Sequence, residues 1–255
     1  MYNAPVAHAA APAAITVEHL SKRFGTLTVV EDLSFSVASG EIVGFLGPNG
    51  AGKTTTLAML LGLLLPSRGS VQILGLPMPA ERRRILARVN FTSPYVALPG
   101  NLTVRENLTV FAHLYGVRRA RPWIDGLLER FGLEEMRDRP AGRLSSGEST
   151  RLGLVKALLN DPAILFLDEP TASLDPDAAG RVREILQDIR AERGVTIFYT
   201  SHNMQEVERL SDRILFLHQG HLIAEGPPGE VLRRFDTDTL EHMFLDLARQ
   251  DASSW

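Results

Sequence analysis

A glycine-rich octet with the spacing G-x-x-x-x-G-K-[ST] is the first motif in the chain whose residues could take part in chemistry. Its members are Gly47, Pro48, Asn49, Gly50, Ala51, Gly52, Lys53 and Thr54. Polyphosphate needs several backbone N–H groups that converge on it, and glycines permit the turns and the close approach. Lys53 can reach the β- and γ-phosphates, and the Thr54 hydroxyl can ligate Mg²⁺. The octet and the next residue, Thr55, are therefore predicted to bind nucleotide phosphates.

Two adjacent carboxylates, Asp168 and Glu169, follow the apolar run Ile164–Leu167. One carboxylate can hold a metal ion through water while the other takes a proton from an attacking water. Such a pair is common at strand ends, but with a phosphate loop upstream it is predicted to complete an ATP site. His202 follows the apolar strand Thr196–Thr200. A lone histidine there is usually structural, yet beside these strands it can bond a γ-phosphate.

The surrounding pattern predicts the elements that position these residues. Residues 41–46 form a short apolar run, as in a buried parallel strand, and Thr55 to Leu65 has helical character, so the phosphates would lie at a helix N-terminus. Apolar residues at helical spacing predict helices around 104–115, 127–131 and 151–159. Further strands are predicted at 15–20, 33–37, 71–74, 195–200 and 213–217. The alternation favours an α/β core with a largely parallel sheet, interrupted by a helical insertion.

The composition of the 255 residues is that of an ordinary globular protein, with 44 % apolar and 22 % charged residues. A net charge of −3 gives no electrostatic case for nucleic-acid binding. Disulfides and thiolate metal sites are excluded because there is no cysteine. The longest apolar stretch, near Leu57–Leu65, is too short to span a bilayer. Residues 1–14, rich in alanine and proline, are interpreted as a disordered leader.

The segment Leu144-Ser145-Ser146-Gly147-Glu148 stands 20 residues before the strand that ends in the carboxylates. This segment resembles the signature sequence of ATP-binding-cassette (ABC) transporter ATPases. Together with the octet, the carboxylate pair, the Ser173-Leu174-Asp175 segment and His202, it makes the chain resemble that family over about residues 15–230. A serine, a glycine and a helix N-terminus also form an anion-binding end on physical grounds.

The resemblance implies a P-loop NTPase (RecA-like) core with a mostly parallel sheet, an antiparallel β subdomain and a helical subdomain insertion. The implied domain spans 15–231, with the core at 15–89 and 160–231, the helical subdomain at about 90–159, and a C-terminal helical tail at 232–255.

The resemblance also implies roles for single residues. Asp168 would bind magnesium with Thr54, Glu169 would be the general base, and His202 would sense the γ-phosphate. Phe24 would stack on adenine, and Asp175 would link two sites. Four residues would contact the ATP of a second subunit: Ser145, Ser146, Gly147 and Glu148.

Three positions depart from the family pattern. Ser146 replaces a glycine and Glu148 a glutamine; both variants should preserve the helix start, and Glu148 could accept from ribose hydroxyls. The family's Q-loop glutamine should fall near Ser93-Pro94, where there is none. Three outcomes stay open: Ser93 supplies an oxygen to Mg²⁺, water replaces the glutamine, or the loop is remodelled. Water is favoured, because Mg²⁺ readily keeps several waters.

The resulting hypothesis is an ATPase that needs Mg²⁺, forms a homodimer around two ATP molecules and drives export through a separate membrane permease. It would lie on the cytoplasmic face of the membrane as a peripheral subunit. Residues 239–247 and 102–115 resemble segments of bacterial drug, antibiotic and polysaccharide exporter ATPases. The alternatives are an importer ATPase and a soluble ABC protein of translation or DNA repair. The single compact cassette without heptads argues against the soluble one.

Overall fold

The computed structural model describes residues 13–93, 97–201 and 203–244. Ten strands in chain order build two sheets: β1 Ala13–Phe24, β2 Leu27–Ala38, β3 Ile42–Leu46, β4 Arg68–Ile73, β5 Leu76–Met78, β6 Val89–Thr92, β7 Ile164–Asp168, β8 Thr196–Thr200, β9 Arg213–His218 and β10 His221–Gly226. Eight α-helices accompany them in the described part: α1 Lys53–Leu60, α2 Arg82–Leu86, α3 Val104–Leu114, α4 Ala120–Arg130, α5 Ser146–Leu158, α6 Pro176–Arg193, α7 Met204–Leu210 and α8 Pro228–Arg234.

The larger sheet has six strands in the order β10-β9-β3-β8-β7-β6. Its neighbours pair in parallel except for the antiparallel edge strand β10. Strands β3, β7 and β8 are buried almost throughout, as strands covered on both faces must be. The carboxyl ends of these strands therefore meet at one edge, where the chemically active residues follow them.

A second sheet of four antiparallel strands, in the order β2-β1-β4-β5, covers one face of the larger sheet. The alternation of side chains along β7 separates two cores. Ile164 and Phe166 pack with α1 and the antiparallel sheet, while Leu165 and Leu167 pack with α5, α6 and α7. Helices α3, α4 and α5 lie between β6 and β7 in the chain and share the second core. These features confirm the predicted α/β fold with its antiparallel sheet and helical insertion.

The boundaries differ from the predicted ones in several places. Strand β1 begins at Ala13, inside the predicted leader, and residues 1–12 lie outside the described part. Strand β6 pairs in parallel with β7, so the helices of the insertion follow residue 92. Helix α8 crosses the predicted junction at 231/232, and the tail is described only to residue 244.

Helix α1 is shorter than predicted because a glycine ends it. Gly62 has φ 64°, a left-handed conformation that favours glycine. The N–H of Leu63 donates to the carbonyl of Ala58 at 2.8 Å and that of Gly62 to Met59 at 3.1 Å, which caps the helix C-terminus. The apolar run continues to Leu65 outside the helix. Within the described ranges, no helix has the length and hydropathy needed to cross a membrane.

Candidate nucleotide-binding site

The glycine-rich loop joins the end of β3 to the start of α1, in the order strand, loop, helix. Lys53 is the first residue of α1, and its Nζ donates to the carbonyl oxygens of Gly47 at 2.6 Å and Pro48 at 3.0 Å. The ammonium group is thus folded back across its own loop. Burial lowers the pKa of Lys53, against the opposing influence of the Glu169 and Asp168 carboxylates. A cation held between loop carbonyls and two acids is suited to bind phosphate oxygens.

Two glycines of the loop are required by close backbone approach. A Cβ on Gly47, whose φ is 149°, would lie 2.1 Å from the carbonyl oxygen of Leu217 in β9. A Cβ on Gly52, whose φ is 105°, would lie 2.7 Å from the carbonyl oxygen of Val29 in β2. No other residue fits these positions without backbone movement. The loop is therefore held tightly against β2 and β9.

A cleft of about 240 Å³ opens beside the loop. Residues from both sequence motifs line it: Val29, Asn49, Gly50, Gly52, Lys53, Thr54, Thr55, Asp168 and Glu169. The fold thus brings the lysine and hydroxyl groups of the loop to the two carboxylates, although more than a hundred residues separate them in the chain. Cation, hydroxyl and paired acids in one cleft form a set suited to a metal-bound polyphosphate.

The two carboxylates are held in different ways. Asp168 ends β7, and its Oδ1 accepts a hydrogen bond from Thr200 Oγ1 at 2.7 Å while its Oδ2 accepts one from Ser93 Oγ at 3.1 Å. Glu169 lies just past the strand with φ 50°, uncommon for a non-glycine residue. Its backbone N–H donates to the carbonyl oxygen of Thr200 at 3.2 Å. The bend places Glu169 in the cleft, next to the residue that would hold metal.

The signature segment starts helix α5 and forms a complete N-terminal cap. Ser145 Oγ accepts from the backbone N–H of Glu148 at 3.2 Å, and Glu148 Oε2 accepts from the backbone N–H of Ser145 at 2.7 Å. This capping box stabilises the first turn. It also holds the pKa of Glu148 below its usual value, first through the hydrogen bond from the Ser145 backbone. The Glu148 carboxylate expected to accept from ribose hydroxyls is thus bonded to its own helix start.

None of residues 144–148 is among those lining the cleft of the glycine-rich loop. Ser146 instead borders a separate cavity of about 310 Å³, to which Ser93, Asp168 and Glu169 also contribute. Gly147 lies against the Ser173–Asp175 segment, since a Cβ on it would be 3.3 Å from Leu174 Cδ2. Asp175 caps α6 by accepting from the N–H of Ala178 at 2.9 Å. The signature therefore packs beside this segment and apart from its own phosphate loop.

Two further predicted residues have different outcomes. Phe24 lies at the tip of the β1–β2 hairpin and is 48 % exposed, with Lys22 Nζ 5.0 Å from its ring centre. The next strand, β2, brings Val29 to the cleft. The exposed ring of Phe24 is available for stacking, and this role stays a prediction. His202 lies outside the described residues, as do Pro94 and Tyr95 of the segment expected to hold the Q-loop glutamine.

Sequence reasoning missed two buried polar residues, one that bonds the carboxylates and one that bonds a residue close to them in the chain. Thr200, at the end of β8, bonds both Asp168 and Glu169. Glu206 of α7 is 2 % exposed and accepts hydrogen bonds from Thr171 Oγ1 at 2.5 Å and Ser201 Oγ at 3.3 Å. The sequence could have indicated Thr200, because it ends a strand parallel to the one that ends in Asp168. It could not have indicated Glu206, which reads only as a charged residue on a short helix.

Ser93 occupies the region of the missing glutamine, and we expect its hydroxyl to be dispensable for metal binding. Ser93→Ala should raise the half-saturating Mg²⁺ concentration of ATP hydrolysis by no more than about twofold, roughly 0.4 kcal/mol. The reason is that Thr200 holds Asp168 through the shorter bond and Mg²⁺ accepts water in place of a weak ligand. Ser149→Ala, in the wall of the same cavity, is the control. A tenfold rise with Ser93→Ala alone would identify Ser93 as a ligand.

The fold and the site together define a P-loop nucleotide-binding protein of the α/β type. The ABC transporter family model matches residues 30–172. On this match and on the relatives described next, the chain belongs to the ABC transporter family, as an ATP-hydrolysing subunit.

Curated relatives are similar over most of the chain. The Nod factor export ATP-binding protein I of Burkholderia orbicola is 47 % identical over 218 residues, which cover 85 % of this chain and 71 % of the relative. The protein of the same name from Paraburkholderia xenovorans is 45 % identical over 222 residues, covering 86 % and 73 %.

Solved structures agree with this assignment. An ATP-binding subunit of an ABC transporter superposes with a TM-score of 0.84 at 29 % identity, covering 92 % of this chain and 99 % of that one. A dimeric bacterial ABC transporter cassette superposes with a TM-score of 0.76 at 25 % identity, covering 84 % and 98 %. The whole described fold is therefore that of an ABC cassette.

Proposed function

We propose that this chain hydrolyses Mg²⁺-bound ATP at the cleft of the glycine-rich loop, with Glu169 as general base. The observation that carries the proposal is the meeting of Lys53 and Thr54 with Asp168 and Glu169 in one cleft. Mg²⁺ prefers oxygen ligands and usually binds through one or two carboxylates, phosphates and water. The Thr54 hydroxyl and the Asp168 carboxylate supply protein oxygens of this kind, and the bound ion would neutralise charge on the phosphates.

In this proposal each side chain has one task. Lys53 binds the β- and γ-phosphates and stabilises charge that develops on them. Glu169 accepts the proton of the attacking water, and Asp168 and Thr54 hold the metal. Phe24 stacks on the adenine, and His202 contacts the γ-phosphate. The predicted loop contacts from Gly47 to Thr55 supply the remaining hydrogen bonds.

The second part of the proposal is a homodimer that binds two ATP molecules between its subunits. Ser146 borders a cavity that contains no residue of the phosphate loop, although it shares Asp168 and Glu169 with the cleft, and the N-terminus of α5 is suited to an anion. Ser145, Ser146, Gly147 and Glu148 would complete the site of the partner subunit, and Asp175 would link the two sites. The solved structure of a dimeric cassette with the same fold supports this arrangement.

The third part concerns transport. We infer that the dimer sits on the cytoplasmic face of the membrane, bound to a separate permease, and drives export. Support comes from eight relatives at 43–47 % identity, each named Nod factor export ATP-binding protein I. Nod factor is accordingly the first candidate substrate to test. No feature of the described residues favours the importer or the soluble alternative.

Direction of transport is tested in inside-out membrane vesicles that contain this chain and a candidate permease subunit. ATP added outside the vesicles should accumulate labelled Nod factor in the lumen, because the cytoplasmic face is exposed. Vesicles with the Glu169→Gln chain serve as the control. Wild-type vesicles that release a preloaded substrate on adding ATP, without accumulating any, would contradict export and favour import.

A further inference from the structure

Thr200 lies at the point where the two carboxylates of the site meet. It is the last residue of β8, it is 1 % exposed, and it pairs with Asp168 in the parallel register of β7 and β8. Its Oγ1 donates to Asp168 Oδ1 at 2.7 Å. The same oxygen accepts from the backbone N–H of Glu169 at 3.2 Å. One buried hydroxyl thus bonds the side chain of one acid and the backbone of the next.

The second of these bonds falls on a strained residue. Glu169 has φ 50°, in the left-handed region that residues other than glycine, asparagine and aspartate rarely adopt. Such a conformation persists when neighbouring contacts determine it. Here the N–H of Glu169 is shared between the carbonyl oxygen of Thr200 and the Thr200 hydroxyl, each at 3.2 Å. The backbone bend that places Glu169 in the cleft is therefore tied to Thr200.

We propose that Thr200 is a positioning residue for ATP hydrolysis, which orients the metal-binding carboxylate of Asp168 and fixes the bend that aims Glu169. This inference rests on the roles proposed above for Asp168 and Glu169. Thr200 touches neither nucleotide nor metal in this proposal; it acts through its two bonds. Displacing a catalytic group by up to about an ångström lowers the rate of hydrolysis strongly, because proton transfer needs a defined geometry.

The chain offers a matched control on the same strand. Thr196, at the opposite end of β8, is also 1 % exposed, and its Oγ1 accepts from the backbone N–H of Gly40 at 2.9 Å. Replacing either threonine with valine removes one buried hydroxyl and keeps the branched shape. Both variants should lose stability to a similar degree, whereas only the change at residue 200 alters contacts of the two acids.

The experiment compares the variants Thr200→Val, Thr200→Ser and Thr196→Val. Three quantities are measured for each: the steady-state ATPase kinetics, the affinity for ATP in EDTA, and the affinity of the ATP-loaded protein for Mn²⁺, which electron paramagnetic resonance detects. For Thr200→Val we expect kcat to fall about 30-fold and Mn²⁺ affinity about fivefold, while ATP affinity in EDTA stays within twofold. Loss of one positioning contact typically has effects of this order. Thr200→Ser and Thr196→Val should stay within about threefold of wild type in every measurement.

Three results would overturn the proposal: a wild-type kcat and Mn²⁺ affinity in Thr200→Val, an equal loss in Thr196→Val, or an equal loss in Thr200→Ser. Should Thr200→Val fail to fold, Thr200→Ala takes its place, because it removes the same hydroxyl with a smaller side chain. Thr200→Ser keeps the hydroxyl and loses only a methyl group, so a 30-fold loss there would assign the effect to packing. Glu169→Gln is measured alongside. Full activity in that variant would sink the assignment of the general base itself, whatever Thr200 does.

Discussion

Glu169→Gln is expected to lower kcat by on the order of 10²-fold or more, while the protein still binds ATP. A positioned proton acceptor contributes about this much to a hydrolysis rate, and glutamine keeps the shape of the side chain without its basicity. The cleft beside Lys53 and Thr54 is otherwise unchanged, so nucleotide affinity should persist. Because hydrolysis would no longer release the bound nucleotide, an ATP-bound dimer should accumulate.

The measurement combines ATPase rates, equilibrium ATP binding and light scattering. Glu184→Gln, an exposed position on α6, makes the same chemical change away from the site and should leave all three unchanged. Glu169→Gln protein that hydrolyses ATP at nearly the wild-type rate would remove the general-base assignment. Loss of ATP binding in that variant would instead indicate a structural role for the carboxylate.

The chemical part of the site is largely readable from the sequence because its residues are local. The order strand, glycine-rich loop, helix is contained in residues 42–60, and β7 delivers Asp168 and Glu169 within one segment. Apolar runs at β3, β7 and β8 gave correct strands because both faces of the sheet are covered. Short buried strands such as β6, with Asn90 and Thr92 in four residues, lack that pattern.

The contacts that the sequence did not yield depend on register between distant strands. Thr200 meets Asp168 only because β7 and β8 pair Asp168 with Thr200 and not with a neighbour. Nothing local to either strand fixes that pairing. The capping box at Ser145 and Glu148 is the opposite case, since the spacing S-x-x-E announces it. The hydrogen bonds of α5 agree with the expectation that Glu148 preserves the helix start, and its contact with ribose stays a prediction.

Lys53→Ala is expected to abolish most ATP hydrolysis and to weaken nucleotide binding. The ammonium group, held by the Gly47 and Pro48 carbonyls, is the cation that meets developing negative charge on the phosphates.

Gly147→Asp is expected to be equally inactive for another reason. Gly147 is the second residue of α5, so the added carboxylate suits the helix N-terminus but repels an incoming phosphate. Folding should survive both changes.

A mixture of the two inactive chains should recover activity if the sites are shared between subunits. In the mixed dimer one composite site carries both lesions and the other carries neither, since the loop comes from one chain and the signature from the other. With random pairing, roughly a quarter of the sites are intact, which sets the expected rate if one intact site can turn over. The mixture is compared with each variant alone and with a chain carrying both changes. The double variant mixed with wild type also leaves roughly a quarter of the sites intact, all of them in wild-type dimers, and so gives the reference rate for the complementing pair. No recovery in the complementing pair, beside that reference rate, would contradict the shared site. Light scattering that finds only monomer for the Glu169→Gln chain with ATP would contradict the shared site directly, because ATP would then be bound without a partner's Gly147.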